Sequence, residues 1–131
     1  VKTTTASVFA GVDSGLNHLI RPMIYEAYHH ITNISNPGGK TRIYNVVGYI
    51  CETDTFGVNR QLSEVREDDI LVMANAGAYS FMMASNYNSR FRPAEVMVID
   101  GEAHLIRRRE TMEDLMRGQV ELEVLKGSAL M

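Results

Sequence analysis

The sequence lacks the features that mark several large classes of protein. It has 131 residues with one cysteine, three prolines and no tryptophan, which excludes an intramolecular disulfide framework and favours a reducing, cytoplasmic compartment. No apolar run approaches the roughly 20 residues of a membrane-spanning helix. The opening residues VKTTTASVFAG also lack the charged and apolar regions of a signal peptide. We therefore expect no membrane partner.

Positive charge is also scarce. Thirteen lysines and arginines stand against 16 acids, for a formal net charge of −3 with the histidines neutral. Binding to a nucleic acid backbone requires a broad basic surface, so nucleic acid is not expected as a partner. The run of three arginines at residues 107–109 is better explained as a solvated strand end. No pair of cysteines or histidines has metal-ligand spacing, so no metal site is predicted.

What remains is a chain rich in short β-like segments. Residues 3–13, 41–50 and 70–74 combine β-branched, aromatic and apolar side chains, as strands do. Asp100-Gly101 separates two further apolar runs and predicts a two-residue hairpin, because both central residues of such a turn take positive φ. The polar residues 53–69 are interpreted mostly as loop.

Helical signals are few. Pro22 suits the first turn of a short helix, and Thr111 with Asp114 predicts a capped helix that closes the chain. We expect six or seven short strands, two helical turns and one terminal helix in a single domain over residues 1–131. The predicted fold class is mainly β, an antiparallel barrel or sandwich.

Four local clusters carry polar or reactive groups that a core does not need. They are Arg21 with Tyr25, Cys51 with Glu52, Tyr79 after a glycine, and the polar residues 85–90. A guanidinium recognises a carboxylate, a carboxylate recognises an ammonium group, and a thiol can pass a proton. Together these groups suit the end of an amino acid, and their position at strand ends and in loops favours binding.

Each cluster also has a structural explanation. Arg21 could pair with any surface acid, and Tyr79 could cap a core. Cys51 could be a small buried apolar residue, as most thiols are. The residue types alone leave both interpretations open.

Longer stretches of the sequence favour the functional interpretation of these clusters. In order along the chain, VDSGLNHLIRPMIYEAYHHI, VVGYICETD, MANAGAYSFMMASNYNSR and RPAEVMVIDGEAHLIRRRET resemble successive blocks of the C-terminal domain of the diaminopimelate decarboxylases. The resemblance extends from about residue 9 to about residue 115. These pyridoxal-phosphate enzymes of the alanine-racemase-like fold remove carbon dioxide from meso-diaminopimelate and yield L-lysine.

The resemblance implies a role for each candidate. Arg21 and Tyr25 match substrate-binding residues, and Tyr79 matches a tyrosine that contacts cofactor and substrate. Cys51 matches the proton donor and Glu52 a substrate-binding acid, both offered to the active site of a second protomer in a homodimer. A thiol is mostly protonated near neutral pH, as a proton donor requires.

Two departures from the family pattern qualify this interpretation. The loop after Cys51 and Glu52 reads Thr-Asp-Thr where many relatives have a Ser-Gly-Asp type of turn. The family's N-terminal α/β barrel, a fold of roughly 250 residues, and its cofactor lysine are also missing. With Val in first place, we expect the chain to derive from something longer.

The lysines of the chain indicate whether it could hold the cofactor covalently on its own. None of the three, Lys2, Lys40 and Lys126, lies in an apolar segment of the kind that a Schiff-base lysine needs, so we expect the isolated chain to be inactive. Two alternatives stay open. One is a non-catalytic β-barrel binding or assembly module, and the other is the same domain of an ornithine- or carboxynorspermidine-type decarboxylase. The combination of Arg21 with Cys51 and Glu52 favours diaminopimelate.

Overall fold

The computed structural model describes residues 1–51 and 53–126, with strands predominating over short helices. The strands within this part are β1 (Lys2–Thr3), β2 (Val8–Gly11), β3 (Ile31–Asn33), β4 (Thr41–Val47), β5 (Thr55–Ser63), β6 (Leu71–Met73), β7 (Glu95–Ile99) and β8 (Glu102–Arg107). The helices are α1 (Arg21–Tyr25), α2 (Gly77–Met83), α3 (Met112–Met116) and α4 (Glu123–Lys126), with a 3₁₀ turn at Tyr87–Ser89. The expectation of a mainly β chain is confirmed.

The strands form three separate sheets. One has four strands in the order β1-β2-β4-β5, and the others are the pairs β3-β6 and β7-β8. Across the described residues the sheets do not join into a closed barrel. The pair β2-β4 is parallel, with Ala10 opposite Val46, so the prediction of a purely antiparallel arrangement is wrong here. A parallel pair needs a long crossover, and the segment that contains α1 and β3 provides it.

The core lies between β4, β5 and the segments that cross them. Tyr44, Val46 and Phe56 are almost completely buried, and Leu19 and Ile31 join the same cluster. Burying side chains of this size is the main source of stability for a domain of this length.

β5 contradicts the interpretation of residues 53–69 as mostly loop. It is nine residues long and pairs with β4 from Thr41 opposite Ser63 to Val47 opposite Thr55. Its sequence, TFGVNRQLS, is polar, but Phe56 and Leu62 enter the core. Pairing with an apolar neighbour thus determines this strand more than its own β-propensity does.

Near both ends of the chain, a secondary-structure element that was predicted to be continuous is divided in two. The strand expected over residues 3–13 is split by a turn in which the amide of Ser7 donates to the hydroxyl of Thr4. The prediction of a single helix at the end of the chain is also wrong, because α3 ends at Met116 and a separate helix, α4, begins at Glu123. None of the residues of α3 is buried, and so short a helix is marginal without packing.

Three local predictions are confirmed. Pro22 lies in the first turn of α1, and Thr111 and Asp114 form the expected capping box of α3. Asp100 and Gly101 both have positive φ, 51° and 84°, and turn β7 into β8. Among the described residues, the structure contains no helix with the length and apolar character required to cross a membrane.

Candidate functional site

The parallel pair β2-β4 brings two loops to one edge of the sheet. Residues 12–20, here called the central loop, follow β2, and residues 48–51 with 53–54, here called the cysteine loop, follow β4. The amide of Val12 donates to the carbonyl of Val47 at 2.9 Å, and the amide of Tyr49 donates to the carbonyl of Ser14 at 3.1 Å. Since parallel strands end at the same edge, loops distant in sequence become neighbours.

Asp54 joins these two loops. One carboxylate oxygen accepts from the amide of Leu16 at 2.7 Å and the other from the amide of Ile50 at 2.8 Å. The residue is only 5% exposed. Burial raises the pKa of Asp54, while the hydrogen bonds from Ile50 and Leu16 oppose that shift. The Asp54 side chain therefore joins the two loops, in addition to the backbone hydrogen bond between Tyr49 and Ser14.

The central loop also holds α2. The hydroxyl of Ser80 donates to the carbonyl of His18 at 3.0 Å, and the amide of Ser85, just after α2, donates to the carbonyl of Asn17 at 2.9 Å. Asn17 is fully buried and accepts from the hydroxyl of Tyr49 at 3.0 Å. Residues from three parts of the chain therefore meet at the central loop.

His18 links the central loop to the segment before β7. Its Nε2 lies 3.1 Å from the carbonyl of Phe91, and its Nδ1 lies 2.9 Å from the hydroxyl of Ser14. Burial lowers the pKa of His18, so the ring is neutral near pH 7. Because a carbonyl only accepts, Nε2 donates to Phe91 and Nδ1 accepts from Ser14.

The structure brings together two of the candidate residues. Arg21 opens α1, and its guanidinium carbon lies 5.0 Å from the centre of the Tyr79 ring on α2. This is within the range of a cation–π contact. Tyr79 is 56% exposed, so the phenol and the guanidinium form an open surface that a ligand can reach.

The other candidate residues are not part of this contact between Arg21 and Tyr79. Tyr25 lies one turn after Arg21 in α1 and is 64% exposed; residues four apart share a helix face. Cys51 is exposed in the cysteine loop. Glu52 lies outside the described residues. The cation–π contact therefore joins Arg21 and Tyr79 among the candidates, while Tyr25 and Cys51 are exposed.

A cleft of about 920 Å³ lies beside the central loop, with Ser14, His18, Phe56 and Ser80 among its lining residues. Arg21, Tyr25, Cys51 and Tyr79 do not line it. Lys2 and Lys40, the lysines with described side chains, are exposed. Within residues 1–51 and 53–126, no group of three or more His, Cys, Asp or Glu could hold a metal ion.

Sequence reasoning missed the residues that organise this edge, namely Asp54, Asn17 and Ser80. In the sequence, Asp54 stands out only as part of an atypical loop. A usable signal existed, because short polar side chains in loops often bond to backbone groups. Gly48 adds to it, since a Cβ there would lie 2.6 Å from the carbonyl oxygen of Ser14. Such crowding marks a point where two backbone segments meet.

Comparison with known proteins gives a consistent result. Residues 1–77 match the family model described as pyridoxal-dependent decarboxylase, C-terminal sheet domain. The diaminopimelate decarboxylase of Methanothermobacter thermautotrophicus is 51% identical over 113 residues, which are 85% of this chain and 26% of that protein. That of Zymomonas mobilis is 43% identical over 126 residues, 95% of this chain and 30% of that protein.

A solved structure agrees. Diaminopimelate decarboxylase from M. jannaschii, crystallised in co-complex with L-lysine, superposes with a TM-score of 0.86 at 38% identity. The match covers 95% of this chain and 29% of that one. The chain thus spans between a quarter and a third of the length of these relatives.

Proposed function

The chain belongs to the pyridoxal-dependent decarboxylases, whose C-terminal sheet domain it matches, and on this basis we propose that it is the C-terminal part of a diaminopimelate decarboxylase. The complete enzyme converts meso-2,6-diaminopimelate to L-lysine and carbon dioxide, a reaction of lysine biosynthesis. The contact between Arg21 and Tyr79, at 5.0 Å, carries the proposal. A guanidinium beside an exposed phenol is the pairing that recognition of a substrate carboxylate requires, and this supports the proposal.

The described residues fit one wall of a pyridoxal phosphate site. Tyr79 offers an exposed phenol to cofactor and substrate, whereas Lys2 and Lys40 are exposed and unsuited to hold the cofactor covalently. We assign the cofactor lysine to an N-terminal α/β barrel in the complete enzyme. When bound, the cofactor supplies an electron sink for the charge left when carbon dioxide departs.

Each candidate side chain then has a defined task. Arg21 binds a substrate carboxylate through two parallel hydrogen bonds, and Tyr25 donates to the same end of the substrate. Glu52 binds the ammonium group. The Cys51 thiol gives its proton to the carbon that loses carbon dioxide, and the thiolate regains a proton from water. One C–C bond is broken and one C–H bond is formed.

The surface favours an assembly with more protein. Apolar side chains of the β7-β8 hairpin are exposed on both strands, among them Val96, Val98 and Leu105. An exposed apolar area of this kind marks an interface. We assign it to contacts with the N-terminal barrel domain and with a second protomer of a homodimer, in which the sheets complete a barrel or sandwich. Such an enzyme would act in the cytoplasm.

The test uses the complete enzyme that contains this chain. Cys51→Ala should lower kcat for diaminopimelate by about 100- to 10,000-fold, the usual contribution of general acid catalysis, with cofactor absorbance retained. Thr53→Ala, two residues further along the exposed loop, is the matched control and should keep full activity.

Three results would contradict the proposal. Loss of bound cofactor in Cys51→Ala would make Cys51 structural. Faster turnover of ornithine than of diaminopimelate would assign a different substrate. Release of carbon dioxide by the 131-residue chain alone would remove the need for a barrel domain.

A further inference from the structure

We propose that Asp54 is a positioning residue of this site: its carboxylate sets the distance between the cysteine loop, which carries Cys51, and the central loop, which leads into Arg21. The inference rests on the proposed function for its catalytic consequence. Its structural part, the coupling of two loops through one carboxylate, stands independently of that function.

The geometry of Asp54 supports this role. Its two oxygens serve different loops, with Leu16 donating to one and Ile50 to the other. Ile50 immediately precedes Cys51, so one of the two hydrogen bonds of the Asp54 carboxylate is made next to the residue that carries the thiol. The backbone carbonyl of Asp54 also accepts from the amide of Gly48 at 2.8 Å, so the residue closes the cysteine loop on itself.

The chemistry of Asp54 suits positioning better than simple stabilisation. Burying a carboxylate is unfavourable unless its oxygens are well satisfied, and here both donors are neutral backbone N–H groups. An asparagine could serve only one of them as an acceptor. A residue that accepts from both loops in one plane resists relative movement of the loops.

The catalytic consequence follows from the proton transfer. A displacement of about 1 Å at a reacting group can reduce the rate by roughly 100-fold. Of the proposed substrate-binding residues, only Glu52 is next to Cys51 in the sequence. Arg21, Tyr25 and Tyr79 lie on α1 and α2, and the Ser80 contact to His18 holds α2 to the central loop. Loss of the Asp54 carboxylate should therefore lower kcat much more than it changes KM.

The first experiment measures the coupling directly on the 131-residue chain. Amide hydrogen exchange by NMR should become at least about tenfold faster at both Leu16 and Ile50 in Asp54→Ala, since both amides lose their acceptor. Asp69→Ala is the matched control. It should speed exchange at Arg66, whose amide bonds to Asp69 at 2.9 Å, and leave Leu16 and Ile50 unchanged. Unchanged exchange at these two amides in Asp54→Ala would overturn the coupling.

The second experiment uses the complete enzyme. In Asp54→Ala we expect kcat to fall by about 10- to 100-fold with KM within about threefold of wild type. In D2O, the wild-type enzyme should deliver deuterium to one face of the carbon that loses carbon dioxide, and Asp54→Ala should deliver it to both. Asp54→Asn keeps the shape and one acceptor and should give an intermediate kcat; it also serves if the alanine variant fails to fold.

The outcomes separate the two proposals. Wild-type kcat and stereospecificity in the Asp54 variants, with a large loss in Cys51→Ala, would overturn the positioning role alone. Full activity in Cys51→Ala would instead overturn the proposed proton donor, whatever the exchange rates show.

Discussion

Two aspartates hold loops together at opposite ends of the β4-β5 pair, and their chemistry differs. Asp54 lies where β4 ends and β5 begins, and both of its hydrogen bonds come from backbone amides. Asp69 lies near the other end, beyond β5. It accepts from the side chain of Asn33 at 2.8 Å and from the amide of Arg66, whose guanidinium lies 3.3 Å away.

The electrostatic results are opposite. The hydrogen bond from Asn33, followed by that from the Arg66 amide, lowers the pKa of Asp69, whereas burial raises the pKa of Asp54. At the far end, hydrogen bonds from Asn33 and from the Arg66 amide thus stabilise the charged carboxylate, and the Arg66 guanidinium adds a smaller effect. At the site end the cation, Arg21, lies against an exposed aromatic ring, where a ligand can reach it.

The largest expected contrast is in substrate binding. In the complete enzyme, Arg21→Ala should raise KM by roughly 10- to 100-fold, because a hydrogen bond to a charged group contributes about 1.5–3 kcal/mol. Arg66→Ala removes a guanidinium from the far end and should leave KM unchanged. Steady-state kinetics of both variants measure this difference in KM. Equal KM values would show that Arg21 does not bind the substrate.

Two glycines on either side of β4 sharpen the contrast in stability. A Cβ at Gly48 would press on the Asp54 carboxylate and, at 2.6 Å, on the Ser14 carbonyl, whereas one at Gly38 meets nothing within 4 Å. Gly48→Ala should therefore destabilise the chain by about 1–3 kcal/mol, and Gly38→Ala should change stability by less than about 0.5 kcal/mol. Urea unfolding measures both. Equal effects would show that the two loops at the site edge move apart freely.

The smallest contrast is in pH dependence. A lowered folded pKa, as in Asp69, gives stability that is present above the ordinary value of 3.8 and is lost as pH falls through the folded pKa. A raised folded pKa, as in Asp54, gives stability that is present below 3.8 and is lost as pH rises through the folded pKa.

The unfolding free energies of two variants test this sign. From about pH 7 to about pH 3, the advantage of wild type over Asp69→Asn should shrink, and its advantage over Asp54→Asn should grow. Parallel trends in the two variants would show that the two carboxylates share one environment.

Local signals in the sequence were sufficient for local structure. The Asp100-Gly101 hairpin and the turn at Pro22 follow from φ preferences of single residues, and both were predicted. β5 and the parallel pair were not, because contacts with β4 decide them. In the site, Arg21 and Tyr79 were identified as candidates, but their contact depends on how the crossover places α1 against α2.

The role of Asp54 could not be predicted from the neighbouring sequence either, because it too depends on a contact with a distant residue. Its hydrogen bond to Leu16 spans 38 positions in the sequence, and nothing near Asp54 reveals that partner. Only the register of β2 against β4 brings Leu16 within reach.

That register has a consequence for the order in which the chain folds. β4 and β5 are adjacent in sequence and close a short loop, while the pairing of Ala10 with Val46 closes a much longer one and loses more chain entropy. In the four-stranded sheet it is the pairing of longest range. The edge that carries the candidate site is therefore completed only at that step, so an intermediate that contains the β4-β5 hairpin alone has the thiol but no organised binding surface.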